Sequence, residues 1–374
     1  MQSSQTIVLG AGLVGMAVAY GLARQGHAVT VLDEGDQAFR ASRGNFGLLW
    51  VQSKGFRMLP YARWTRRSAA LWPEFARMLA VDSGIDVQLR QPGGFQLCLS
   101  TDELKQELAR LEWLRDAQQG DYPFECLEGA QLRQRLPGVG DAVVGACYSP
   151  LDGHVNPLKL LHALHVACQQ WGVKVSNGCR IDAIGQHSGG FELAAGGQRW
   201  RCKQLVLAAG LGNRTLGAQL GHEVPLGTTR GQILVSERLQ PFLHFPTSTV
   251  RQTDEGTVQL GDSAESVGLN DSASVPVMAD IARRAVQSFP CLAHVRLVRA
   301  WGALRVLTPD GAPIYEALGC APGAWVVSCH SGVTLAAAHA LSLARHIAEQ
   351  SPTAELAPFS LQRFDQQSEF NYAH

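Results

Sequence analysis

Apolar runs and helical patterns alternate along this chain, and the most regular alternation comes first. Residues 7–9 read as a short apolar strand, the next stretch recurs with helical period, and residues 29–32 form a second apolar strand ending at Asp33. A loop too irregular for a helix follows at 41–50. Leu59, Ala62, Ala69, Leu71, Trp72, Phe75 and Leu79 then recur about every 3.6 residues and predict a long helix over 56–79. A Pro-Gly-Gly turn at 92–94 precedes a strand at 95–99, and 102–115 reads as an amphipathic helix opened by Ser100 or Thr101. Further on, a helix is expected at 158–171, a strand at 173–176 and a buried strand at 204–209 ending at Gly210. Between 232 and 260 short apolar runs alternate with Pro, Gly and charge, the pattern of a mostly antiparallel sheet. A last apolar strand at 325–328 leads to a helix over 333–349.

The pattern predicts an α/β protein whose nucleotide-binding elements occur at the start, middle and end of the chain. Segments 1–88, 145–225 and 300–374 are expected to build a Rossmann-like domain. Segments 89–144 and 226–299 are expected to build an α+β substrate domain with a mainly antiparallel sheet. No internal repeat or low-complexity tract is visible.

Composition narrows the function. At 374 residues, 46% apolar and 17% charged, the chain can build more than one core. Its 32 basic residues balance its 32 acidic ones, which argues against nucleic acid or an anionic membrane as main partner. The nine cysteines include no CxxC pair, so free thiols in a reducing compartment are expected and no metal site. The early start of the first strand leaves no room for a signal peptide, and no apolar run approaches the roughly 18 residues of a membrane span. The expected location is cytoplasmic.

The chemistry begins at residues 10–15, GAGLVG, set between the first strand and the first helix. Gly10 allows the tight turn, Gly12 lets the backbone approach a pyrophosphate, and Gly15 lets the helix pack close to the strand. The free N–H groups of Ala11, Leu13 and Val14 and the positive helix end face the phosphates. Asp33, with Glu34 beside it, is placed to accept ribose hydroxyls. NAD and FAD both fit this unit alone.

Further motifs follow in order: SRGNFG at 42–47, DGHVNP at 152–157, LVLAAG at 205–210, PLGTTRGQ at 225–232, WGALRVLTPDGAP at 301–313 and CHSGVTL at 329–335. Taken together they resemble the D-amino acid oxidase and glycine oxidase family of FAD-dependent amine oxidoreductases, over almost the whole chain. Asn45 onward and the HSGVT ending are most similar to FAD-carrying β subunits of bacterial heteromeric dehydrogenases for opines and D-hydroxyproline.

The resemblance implies FAD with an amino acid substrate, and partner subunits if the narrower likeness holds. It places Ser42 and Arg43 near the pyrophosphate and ribose, and Asn45, Phe46, Gly47 and Leu48 beside the flavin. Ile181, on a strand after Gly178, falls near the adenine, with a plain core role as the alternative. Ala208, Ala209, Gly210 and Gly302 line the cofactor. Ser331, Gly332, Val333 and Thr334, at the start of the last helix, aim N–H groups at the pyrimidine edge, where they would stabilise charge on a reduced ring. Arg305 occupies the family position whose arginine grips the amino acid carboxylate with two parallel hydrogen bonds, an internal salt bridge being the alternative. Lys54, Arg57 and Arg251 are secondary substrate candidates. His330 either touches substrate or flavin, or packs structurally.

Residues 301–307 contain no cysteine, so noncovalent FAD is expected. The implied reaction is oxidation of a C–N bond in an amino acid or N-alkyl amino acid to an imine, with hydride passing to flavin N5 and no obligatory general base. A 2-hydroxy acid oxidase, or an electron-transfer flavoprotein subunit of a larger complex, is the alternative.

Overall fold

The computed structural model describes residues 2–35, 41–351 and 353–365 of the chain. Residue 1 and residues 36–40, 352 and 366–374 of the expected nucleotide-binding segments lie outside the described residues.

Its first sheet is the expected Rossmann-like layer. Strands Lys174–Ser176, Val29–Leu32, Gln2–Leu9, Gln198–Leu207 and Ala324–Ser328 run parallel in that spatial order, with Ile314–Ala317 antiparallel at one edge. Val29–Leu32, Ala324–Ser328 and the carboxyl ends of Gln2–Leu9 and Gln198–Leu207 read as largely apolar runs because both faces are covered there. Val8, Val31, Val206 and Val327 point into one core with helices Leu13–Arg24, Leu59–Ser83 and Pro157–Gln170. Ile7, Leu9, Leu32, Leu205, Leu207 and Val326 point into the opposite core, beneath the hairpin Ala183–His187 and Gly190–Ala195. The period-two alternation thus divides one apolar run between two cores.

Gln2–Leu9 lies between Val29–Leu32 and Gln198–Leu207, so the chain leaves it in one direction and is met from the other. This is the topological switch point, where a crevice opens beyond the carboxyl ends of the strands.

The second layer is antiparallel. Strands Val250–Gln252, Thr257–Leu260, Gly227–Arg238 and Leu297–Leu307 form a four-stranded sheet. A three-stranded sheet of Gly94–Cys98, Gly145–Ser149 and Glu125–Glu128 joins it through the Phe95–Thr247 bridge, with Phe95, Tyr148 and Phe245 in mutual ring contact. The expected domain changeovers at 145 and 300 therefore fall in or beside strands of this antiparallel layer. Motif position alone cannot show which neighbour a strand selects.

Local signals set several element ends. Ser100 accepts from the Glu103 N–H while Glu103 accepts from the Leu99 N–H, a reciprocal cap that starts helix Thr101–Ala117. Asn156 caps Pro157–Gln170 by accepting from Leu158 and Lys159. Two expectations shift. The last helix starts at Ala336 rather than 333, because residues 331–335 are held as a turn, and it widens into a π-helix over His339–Leu343 before Ala344–Ala348. Ile181 lies on an extended connection between strands Lys174–Ser176 and Ala183–His187, not on a strand. Helix Val275–Ser288 was not among the expected elements, although Val277, Met278, Ile281, Ala282, Ala285 and Val286 recur at helical spacing on the face that packs into the antiparallel layer's core.

Candidate functional site

At the nucleotide end, Gly10 has φ +108°, and a Cβ there would lie 2.5 Å from the Ala208 carbonyl oxygen. A Cβ on Gly15 would lie 1.9 Å from the Gly10 carbonyl oxygen. Backbone therefore packs on backbone at both positions, as a pyrophosphate turn requires. Helix Leu13–Arg24 begins at Gly12 with no acidic residue in its first turn, so its positive end is not neutralised from within. The Ser42 hydroxyl accepts from the Leu13 N–H at 2.9 Å and ties the SRGNFG loop to that helix end. Asp33 accepts from the Ala11 N–H at 2.7 Å and from Gly35, which fixes its carboxylate beside the turn. The Ala11 and Leu13 N–H groups, expected to face phosphate, are thereby engaged within the protein; the glycine cradle, the rest of the helix end and the fixed acid fit the diphosphate and ribose of a dinucleotide.

Ala208, Ala209 and Gly210 close the other side of Gly10. Asn213 holds them there, accepting from the Ala209 N–H and donating to the Leu207 carbonyl and the Ser328 hydroxyl. A Cβ on Gly332 would stand 3.6 Å from the Val14 side chain and 3.9 Å from that of Leu13, so the last turn lies close to the first helix.

Beyond that junction a cavity of about 250 Å³, open to solvent, lies between the two sheets. Gly44, Asn45, Phe46 and Leu48 form one wall, Ala303 to Val306 another, and His330, Ser331, Val333 and Thr334 the floor; Lys54, Asp262, Trp50 and Ser248 complete it. Hydrogen bonds set these walls. Thr334 accepts from the Trp50 N–H through its hydroxyl, while its carbonyl accepts from Ser68 and Trp72. Tyr61 donates to the Ser331 hydroxyl at 3.0 Å. The Trp301 indole donates to the Gly44 carbonyl, and Gly44 packs so closely on Ala303 that a Cβ would come within 2.4 Å.

The charge is concentrated at one end. Arg305 projects beside Gly231, where a Cβ would meet its guanidinium at 2.5 Å, and is ion-paired with Asp262. Burial and then repulsion from Arg305 lower the Lys54 pKa to about 8. Asp152 is fully buried behind the same wall, accepting from the Val51 and Gln52 backbone and the Gln52 amide; burial pushes its pKa up to about 7. Burial likewise pushes the Cys329 thiol up to about 12, so it sits there neutral.

Among the sequence candidates, Arg305, Lys54 and His330 thus share one cavity with the flavin-loop and 331–334 residues. Three others lie elsewhere. Arg251 is 1% exposed and is no part of the cavity wall; it donates to the Phe46 carbonyl and contacts His154, propping the loop from behind. Its Nη2 has no hydrogen-bond partner among the described residues, but the side chain is buried behind the loop and does not line the cavity. Arg57 is exposed, outside the wall, with its guanidinium over the Phe56 ring. Gly302 is buried under the Asp271 carbonyl, which a Cβ would meet at 2.5 Å. Asp262, Asp152 and Ser248 escaped the sequence reading: Ser248 sits in the irregular part of the antiparallel run, Asp262 just beyond its end, and Asp152 gave only a motif position. Among the described residues no group of side chains could hold a metal ion.

The fold, the glycine turn and the charged cavity together define a flavin-type oxidoreductase. The chain belongs to the DAO family, FAD dependent oxidoreductase, whose pattern matches residues 5–346. The B subunit of opine oxidase from Agrobacterium tumefaciens (strain Ach5) is 43% identical over 361 residues, covering 96% of this chain and 97% of that one. Hydrogen cyanide synthase subunit HcnC of Pseudomonas aeruginosa is 27% identical, covering 96% and 95%. In three dimensions the chain is similar to glycine oxidase from Geobacillus kaustophilus, with a TM-score of 0.90 at 24% identity, covering 97% and 99%. No helix among the described residues is long and apolar enough to cross a membrane.

Proposed function

We propose that this enzyme oxidises the C–N bond of an amino acid carrying an N-alkyl group, of the opine type, with noncovalently held FAD. The observation that carries this reading is the placement of Arg305 and Lys54 in the cavity floored by residues 330–334. Gly10, Gly12, Gly15, Asp33 and Ser42 would hold the diphosphate and ribose, and residues 44–48 and 331–334 the ring system. When bound, FAD supplies the two-electron acceptor for the substrate Cα–H.

Arg305 grips the substrate carboxylate with parallel hydrogen bonds and fixes the direction of the Cα–H. Lys54 offers a second anion contact, which suits a substrate with two carboxylates, as N-carboxyalkyl amino acids have. The amine reacts neutral, its lone pair forming the imine as the hydride leaves, and water entering from the open side hydrolyses that imine. The absence of cysteine from residues 301–307 supports noncovalent attachment. Likeness to one chain of a multi-subunit opine oxidase supports a heteromeric assembly here as well.

Arg305→Ala tests the reading. Carboxylate substrates should lose affinity with FAD content retained; unchanged kinetics would remove the assignment. Flavin reduction by the amine but not by its 2-hydroxy analogue separates this chemistry from hydroxy acid oxidation.

A further inference from the structure

Asp262 stands at the one place where a substrate carboxylate is expected. Its carboxylate oxygen contacts Arg305 Nη2, so the guanidinium that would grip substrate is already engaged by an internal anion. The two partners differ in their surroundings: the Arg305 side chain is 17% exposed and that of Asp262 is 53% exposed. Arg305 is fixed by strand Leu297–Leu307 and the gap at Gly231, while Asp262 lines the same cavity as the more solvated partner. A partly solvated ion pair of this kind is weak enough to exchange.

We propose that Asp262 is a specificity-determining residue that occupies the carboxylate seat on Arg305 and yields it to a substrate bringing its own cation. A substrate with only a carboxylate takes Arg305 and leaves Asp262 unpaired beside the cavity. A substrate that also carries an ammonium or guanidinium group on its side chain replaces both halves of the internal pair, Arg305 taking its carboxylate and Asp262 its cation. The exchange conserves ion pairs only in the second case, so the site selects amino acids with a positively charged side chain. Lys54, the other cation of the cavity, repels such a side chain from its own position and leaves Asp262 as its acceptor. The inference rests on the proposed role of Arg305.

The test is equilibrium binding to the FAD-loaded protein of two acids that lack an α-amine and cannot be oxidised, butyrate and 4-guanidinobutyrate. Wild type should bind 4-guanidinobutyrate about tenfold more tightly than butyrate. Asp262→Asn frees Arg305, so butyrate should bind about five- to tenfold more tightly, and the preference for the guanidino acid should vanish. Equal binding of the two acids by wild type, or a preference unchanged in Asp262→Asn, overturns the proposal, and the wild-type comparison stands even if the variant is unstable. Arg305→Ala separates the two levels: unchanged butyrate binding in that variant removes the carboxylate clamp itself, whatever Asp262 does.

Discussion

The two ends of the cofactor crevice are built on opposite principles. At the nucleotide end the ligand surface is backbone: Gly10 against Ala208, Gly15 against Gly10, and Asp33 and Ser42 each fixed by an N–H of the same turn. At the substrate end it is side chain, with Lys54, Asp262, Arg305 and His330 converging from four separate chain positions onto an open cavity. A backbone site tolerates almost no added atom but serves one invariant ligand. A side-chain site accepts substitution, and its charges choose the substrate.

Breaking the nucleotide end should have the largest effect. Gly15→Ala sets a methyl group against the Gly10 carbonyl, and we expect a stability loss of about 2–4 kcal/mol with flavin lost on purification, read by thermal unfolding and visible absorption. Next comes the substrate end: Arg305→Ala should lower kcat/KM for carboxylate substrates about 100-fold or more while the flavin spectrum persists. The pair of variants sharpens the contrast, since one removes the cofactor and the other only its partner.

Lys54 gives a pH-dependent version of the same contrast. Its folded pKa of about 8 lies below the ordinary 10.5, so its charge is complete well below pH 8 and lost as pH rises through that value. KM for dicarboxylate substrates should rise across that window, and Lys54→Met should remove the inflection, as steady-state kinetics against pH will reveal. The folded state sheds this proton before the unfolded state does. Stability should therefore rise with pH between about 8 and 10.5 in wild type, and that component should be absent from the variant. The smallest effect belongs to Ser42→Ala, which removes one acceptor from the Leu13 N–H and should cost about 1 kcal/mol in thermal unfolding, with a modest rise in the FAD dissociation constant.

The same contrast explains what could be read from the sequence. GAGLVG, its flanking strands and Asp33 are contiguous, and each follows from local rules of turn, strand and helix. The caps at Ser100 and Asn156 were equally local, one read directly and the other lying within a quoted motif. Arg305 came from family likeness, and its engagement by Asp262 could not, because that pair joins strand Leu297–Leu307 to the connection after Thr257–Leu260, an approach not written in either segment. Arg251 shows the converse: a basic residue in a plausible segment proves to be buried structural support, since the turn at Phe46 needs a donor from behind. The last helix began late for a related reason, its first residues being drawn into a turn by Tyr61, Trp50, Ser68 and Trp72 from distant segments.

The central claim is that this cavity presents an amino acid nitrogen and carboxylate to bound FAD. The most direct measurement is anaerobic mixing of the FAD-loaded protein with an N-carboxyalkyl amino acid and, separately, with its 2-hydroxy analogue, following the visible flavin band. The account predicts rapid bleaching by the amine in wild type, none by the hydroxy analogue, and a strongly slowed response in Arg305→Ala. Equal bleaching by both compounds, or an unaltered response in Arg305→Ala, would contradict it.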